Sequence, residues 1–186
     1  MDGTTRATRD PVGRRQAIIE AAAALIIENG INDLTHRKVA ARASVPLGST
    51  THYFASLEDL KAAALAWLGL RTEEGLSEIA RDLAAAGDWV GTLARLFHEY
   101  LGDPAQVRAD TAFYVASMDS PRLHSIATRW SEGLQEILTP YTDPVTARAI
   151  SAYADGATVQ TMLRGSAPDA GELLDVLTRL TRTTDA

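Results

Sequence analysis

Cysteine is absent from the chain, so disulfides and thiolate chemistry are excluded at once. Aromatic residues are scarce, at 6% against 46% hydrophobic residues overall, and alanine makes up much of the difference. That balance suits closely packed helices. No run of about 18 or more uncharged apolar residues occurs, so no membrane span is expected. The opening MDGTTRATRDPVGRR lacks the apolar core of a secretory signal. A soluble, cytoplasmic protein is therefore expected.

Catalytic signatures are missing too. There is no G-x-S-x-G, no phosphate-cradling G-x-x-x-x-G-K and no G-x-G-x-x-G. His98-Glu99-Tyr100-Leu101-Gly102 begins like a zinc-protease helix, but Gly102 stands where the second histidine belongs. His36, His52 and His124 show no metal-ligand spacing. The paired acids Glu73 and Glu74 lie in a polar helical run and read as solvated surface. No enzymatic activity, metal or cofactor is expected.

What is present is a series of helix starts. An Asp or Ser cap followed at once by proline occurs at Asp10-Pro11, Asp103-Pro104, Ser120-Pro121 and Asp143-Pro144. Proline fits the first helical position, where its missing N–H costs nothing, and the cap side chain satisfies orphan donors. Ser56 with Asp59 and Asp169 with Glu172 read as capping-box variants. These marks predict nine helices, near 11–29, 35–42, 46–52, 56–86, 88–102, 104–118, 121–139, 144–165 and 169–183. Nothing reads as a strand, a repeat or a low-complexity linker, and 186 residues allow one large or two small cores. The fold class expected is all-α.

The most telling segment is Leu34 to Leu60. Thr35 is placed to cap a short helix through Arg42, Ala43-Ser44-Val45 form a turn, and Pro46 opens a second helix to about Tyr53. Two short helices joined in this way make a helix-turn-helix, whose second helix can enter the DNA major groove. Upstream lies an amphipathic helix that stops at Asn29-Gly30. Downstream, Phe54 precedes the capped start of a long helix at Ser56-Leu57-Glu58-Asp59-Leu60. With Ile18, Ala21, Ala22, Gly30, Thr35, Val39, Ala40, Val45, Gly48, Phe54 and Leu60 in register, this order resembles the N-terminal domain of the tetracycline-repressor (TetR) family of bacterial transcriptional regulators. The resemblance covers about the first third of the chain. It implies a DNA-binding domain over residues 1–55 and an effector-binding and dimerisation domain over 56–186.

Charge follows that division. Residues 1–57 carry seven Lys/Arg against five Asp/Glu, while residues 58–186 carry eleven against nineteen. Only the first part is basic, and the small excess argues against strong sequence-independent DNA affinity.

Thr35, His36, Arg37, Lys38, Pro46, Leu47, Gly48, Ser49, Thr50, Thr51, His52 and Tyr53 are the expected DNA-contacting residues. Hydroxyls bond base edges or phosphates, Gly48 permits close approach, and an arginine at guanine is the most discriminating contact. Thr35, His36 and Lys38 stand beside a helix start, which favours phosphate. Arg6, Arg9, Arg14 and Arg15 form a basic arm. The sequence departs from the family pattern at Thr51, where a phosphate-binding tyrosine is common, and at Leu57, where a lysine is common. Ser44 replaces a common turn glycine, which is tolerable where the turn is not strongly left-handed. The plainer reading is a compact helical corner with an ordinary solvated face.

By the same resemblance, the second part is expected to bind a small-molecule effector. Trp67, Phe97, Tyr100, Phe113, Met118, Trp130 and Tyr153 are candidates to line its pocket, and His98, Arg129 and Asp155 to orient a polar ligand. Any one of these aromatics also reads as ordinary core. Small residues Ala149, Ala152 and Gly156, with Leu173 and Leu177 of the last helix, are the expected dimer interface; alternatively both stripes face the chain's own core.

The function expected is a ligand-responsive regulator, most often a repressor, that binds a palindromic double-stranded operator as a homodimer. A ligand that prefers the wrongly spaced conformer would release it, with the fourth helix as the lever. The alternative is a helical small-molecule-binding or protein-interaction protein whose helix-turn-helix has lost DNA, a reading that Thr51 and Leu57 keep open.

Overall fold

A computed structural model describes residues 10–182. Arg6 and Arg9 of the expected arm lie outside the described residues. Nine α-helices form there and no strand. They are α1 (Pro11–Asn29), α2 (His36–Arg42), α3 (Leu47–Tyr53), α4 (Leu57–Ala85), α5 (Trp89–Leu101), α6 (Pro104–Met118), α7 (Pro121–Leu138), α8 (Pro144–Arg164) and α9 (Ala170–Arg182). A short 3-10 turn at Ile31–Asp33, unforeseen in the sequence, joins α1 to α2. No helix among the described residues is long and apolar enough to cross a membrane.

The caps act as their chemistry predicts. The amide of Gly13 donates to Asp10 at 2.9 Å, and those of Ala105 and Gln106 donate to Asp103 at 2.9 and 3.1 Å. Asp143 accepts from Val145 at 2.8 Å and Thr146 at 3.1 Å. Asp88, which has no proline after it, caps α5 through Gly91 at 3.0 Å. Each such cap contributes about 1 kcal/mol. Gly30 closes α1 at φ 83°, a conformation that favours glycine.

The chain forms two compact units, residues 1–68 and 69–186. The division falls inside α4, further along than the 55/56 boundary expected. In the first unit Ile18, Ala22 and Ile26 of α1 are buried with Val39 of α2, Phe54, and Leu60 and Ala64 of α4. In the second, α5 packs on α9 and α6 on α7. Leu83, Leu93, Leu134, Leu138, Ile150, Leu173 and Leu177 fill its core.

Leu173 and Leu177 are 0% exposed within the single chain. The expectation that they meet a second subunit is therefore corrected: α9 turns these leucines onto α5 and α8 because its apolar stripe is needed to close the unit's own core. Ala152 and Gly156 behave differently and stand exposed, with Ala149 half-buried beside them.

Candidate nucleic-acid interface

α2 and α3 are short, seven residues each, and neither would be stable alone. Their stability comes from packing on α1 and on each other. Thr35 caps α2, its hydroxyl oxygen accepting the Lys38 amide at 3.2 Å. α2 ends in a reversal where Ser44 donates its amide to Ala41 at 3.2 Å and Val45 donates to Ala40 at 3.0 Å. This is the Schellman pattern, normally closed by glycine. Ser44 sits there at φ 54°, so the turn is left-handed after all, against the condition under which serine was expected to be tolerable.

The reversal sets α3 across α2 and decides which of its side chains face out. Leu47, Gly48, Thr51 and His52 are exposed, and Ser49 and Tyr53 are half-buried. Thr50 is the exception among the expected contacts. It is 0% exposed, and its hydroxyl donates to the Leu47 carbonyl at 2.8 Å. The expectation that Thr50 reaches DNA is corrected: its place on α3 is the inward one, and it anchors the helix. Thr51 donates to the Gly48 carbonyl at 3.3 Å yet stays on the outer face. The His52 and Tyr53 rings meet edge to face, 5.1 Å apart.

Pro46, Gly48, Ser49, His52 and Tyr53 line an open cleft with Pro11 and Arg14 of α1. Arg14 thus stands beside the exposed face of α3. Arg15 turns away, its guanidinium 5.2 Å from the centre of the Phe54 ring, so of these two neighbours only Arg14 faces the cleft. Pro46 itself is exposed at the head of α3.

On α2, Arg37 is exposed and has no partner among the described residues. Lys38 is held by Asp33. Arg42 forms a two-pronged pair with Glu28 of α1, at 2.9 and 2.6 Å; the Glu28 carboxyl is lowered below its usual range by that hydrogen bond. The His36 ring is half-buried, and its Nδ1 is buried without a partner. An exposed polar helix, packed on α1 and α2 beside the exposed Arg14 and Arg37, has the geometry of a groove-reading head.

Residues 18–64 match the family described as bacterial regulatory proteins, tetR family. Residues 84–183 match the tetracyclin repressor-like C-terminal domain. The chain belongs to the tetR family. It is similar to the HTH-type transcriptional regulator BetI of Serratia proteamaculans, 24% identical over 89% of each chain. Among solved structures, a TetR-family member from Streptomyces coelicolor, SCO1917, is 41% identical, with a TM-score of 0.69 over 90% of this chain and 98% of that one. The multidrug binding protein EbrR in complex with malachite green is 39% identical, with a TM-score of 0.71 over 90% and 98%. As a tetR-family protein the chain is a ligand-responsive, DNA-binding transcriptional regulator with a helix-turn-helix.

The expected effector residues of this regulator scatter. Trp67 falls in the first unit and the others in the second. Phe97 belongs to the core, with Tyr100, Trp130 and Tyr153 packed against it, and Phe113 is half-buried. Met118 is 79% exposed at the end of α6. Of the polar candidates, His98 is exposed and its Nδ1 lies 3.2 Å from the Pro168 carbonyl. Arg129 is spent on Glu73 at 2.7 Å and Glu136 at 3.1 Å. Only Asp155 faces inward, accepting the Tyr114 hydroxyl at 3.1 Å. Asp110, which the sequence reading passed over, accepts the Tyr100 hydroxyl at 2.9 Å. An aspartate four residues after Gln106 on a helix with no clear apolar stripe gave no signal of burial.

Proposed function

We propose that this regulator works as a homodimer that grips a palindromic operator with two α3 helices and releases it when a small molecule occupies the second unit. The observation that carries the DNA part is the outward face of α3, with Leu47, Gly48, Thr51 and His52 exposed over a Thr50 anchor. Ser49 and Tyr53 flank that face, and Arg37 and Arg14 supply charge beside it. Arg37 reads a base or phosphate, and Thr35, His36 and Lys38 lie against the backbone.

Support for the dimer comes from α8. Val145, Ala149, Ala152, Gly156, Val159 and Leu163 recur at helical spacing, and all but the half-buried Ala149 are exposed. Leu163 is 73% exposed. A continuous apolar face with small residues at its centre suits a second copy of the same helix, and a two-fold pairing sets two reading heads about 34–36 Å apart. Support for an effector comes from relatives: EbrR structures hold imidazole, malachite green, proflavin and ethidium. The effector acts by preferring one dimer conformation, so its power is limited to its differential affinity. As a regulator of bacterial DNA, it works in the cytoplasm.

Footprinting on the DNA upstream of its own gene and neighbouring genes tests this reading. A protected palindrome is expected. No protected palindrome at low salt, with no small molecule added, overturns it.

A further inference from the structure

α4 is one helix from Leu57 to Ala85, yet its two ends belong to different compact units, which divide between Leu68 and Gly69. Its first part is fixed by Leu60 and Ala64, each 0% exposed, and by Ser56, whose hydroxyl oxygen accepts the Asp59 amide at 3.0 Å. The second part is keyed to α7. Arg129 donates two hydrogen bonds to Glu73, at 2.7 and 3.1 Å. Trp130 lies over Gly75, where an added Cβ would stand 3.1 Å from its ring, and Leu76 occupies the space left open by Gly133. Leu83 completes the hold in the core of the second unit.

Between these anchors the helix is lightly held. No position from 65 to 72 is buried, a stretch of about two turns. Gly69 stands in the middle of it. Glycine inside a helix is destabilising relative to alanine, because it has more backbone freedom to lose on folding. Ala62, Ala63 and Ala66 precede it, so the same helix uses the better helix former close by.

A close approach would account for the glycine, as it does at Gly75 and Gly133. Gly69 has none: a Cβ built there meets nothing within 4 Å. Backbone conformation does not call for it either, since the positive-φ glycines among the described residues are Gly30 and Gly165. What remains is its effect on the helix itself. A glycine in a weakly packed turn lowers the cost of bending or opening the helix at that point.

We propose that Gly69 is a hinge within α4, and that the second unit re-aims the reading head by bending α4 there. The regulatory use rests on the ligand-responsive reading above; the hinge itself is a property of the helix. Residues 73–85 then travel with α7, while Leu60 and Ala64 stay seated in the first unit. A small molecule shifts the bent and straight populations as far as its differential affinity for them allows.

The test uses the full chain, whose lack of cysteine lets paired spin labels be placed at will. Glu20→Cys with Arg122→Cys spans the hinge, and Arg122→Cys with Glu172→Cys lies within the second unit; all three positions are exposed. Labelled chains are mixed with excess unlabelled chains, so that pulsed measurements read distances within one chain whether or not it dimerises. The spanning distribution is expected to be at least about twice as wide as the other, and Gly69→Ala is expected to narrow it. Ser77→Ala, on the anchored part of α4, is expected to leave it unchanged. A spanning distribution as narrow as the one within the second unit overturns the proposal. So does one that Gly69→Ala leaves wide, or that Ser77→Ala narrows equally. Should a variant fail to fold, the comparison of the two distributions in the parent sequence still decides. Mobility shift of the upstream DNA is scored separately: no shift removes the operator reading and leaves the hinge, and a narrow spanning distribution removes the hinge and leaves the operator reading.

Discussion

The Val45 amide reaches back 3.0 Å to the Ala40 carbonyl, and this bond fixes where α3 begins relative to α2. The residue between, Ser44, takes a left-handed conformation at φ 54° to permit it. That conformation costs a non-glycine residue roughly 1–2 kcal/mol. Ser44→Gly is expected to stabilise the protein by about 1 kcal/mol, part of the gain being lost to glycine's greater unfolded-state entropy. Ser44→Val is expected to destabilise it by more. Urea unfolding of both variants checks the pair; a glycine variant weaker than the parent contradicts it.

Lys38, proposed above to lie against the DNA backbone, is paired with Asp33, so a phosphate there would compete with a carboxylate. Asp33→Asn is expected to tighten DNA binding and to steepen its salt dependence by about one released counterion. Lys38→Ala is expected to flatten that slope, whereas Arg37→Ala weakens binding and relaxes one base preference. Titrations at several salt concentrations separate the three.

α4 and α7 approach closely where side chains are missing. A Cβ on Gly133 would lie 2.4 Å from Leu76 and 2.8 Å from Arg129, and one on Gly75 would lie 3.1 Å from the Trp130 ring. Gly133→Leu is expected to cost about 2 kcal/mol by overpacking. Combining it with Leu76→Ala is expected to recover part of the loss, since the two sites share one space. Additive losses in thermal unfolding would rule out that shared packing.

The acids carry opposite pH signatures. Burial raises Asp110 and Asp155, so the folded state holds protons that the unfolded chain has released. Their contribution is complete below the unfolded value and declines as pH rises through the raised ones. Asp155→Asn keeps an acceptor for Tyr114 without the charge. It is expected to exceed the parent in stability at about pH 7 and to lose that advantage towards about pH 4. Glu28 is lowered by its Arg42 hydrogen bond, so its contribution is present above the ordinary carboxylate value and fades as pH falls. Melting curves across this range read both signs.

Val159 and Leu163 lie on the open apolar face of α8. A glutamate at either position is expected to raise the dimer dissociation constant by at least about tenfold, because a charge would be buried without a partner. Sedimentation measures the assembly state. A dimer unchanged by both substitutions moves the interface elsewhere.

Much of this was legible in the chain, and the reason is locality. Asp10, Asp103, Ser120 and Asp143 cap their own helices within three residues, so helix starts are written where they act. The spacing from Thr35 to Phe54 is also local, and it carried the family resemblance on its own. Burial was harder to read. The stripe at Leu173 and Leu177 looks the same whether it meets its own core or a second subunit, and only the packing of α9 on α5 chose the first.

The sequence by itself thus determined that the chain is helical, where its helices start, and that its first third is a helix-turn-helix. These depend on backbone capping and on periodicity within single helices. Tertiary structure alone decided that Thr50 points inward, that Ser44 is left-handed, and that Asp110 and Asp155 accept phenol hydroxyls from neighbouring helices. Those facts arise from residues brought together across helices, by packing geometry that no short window of sequence contains.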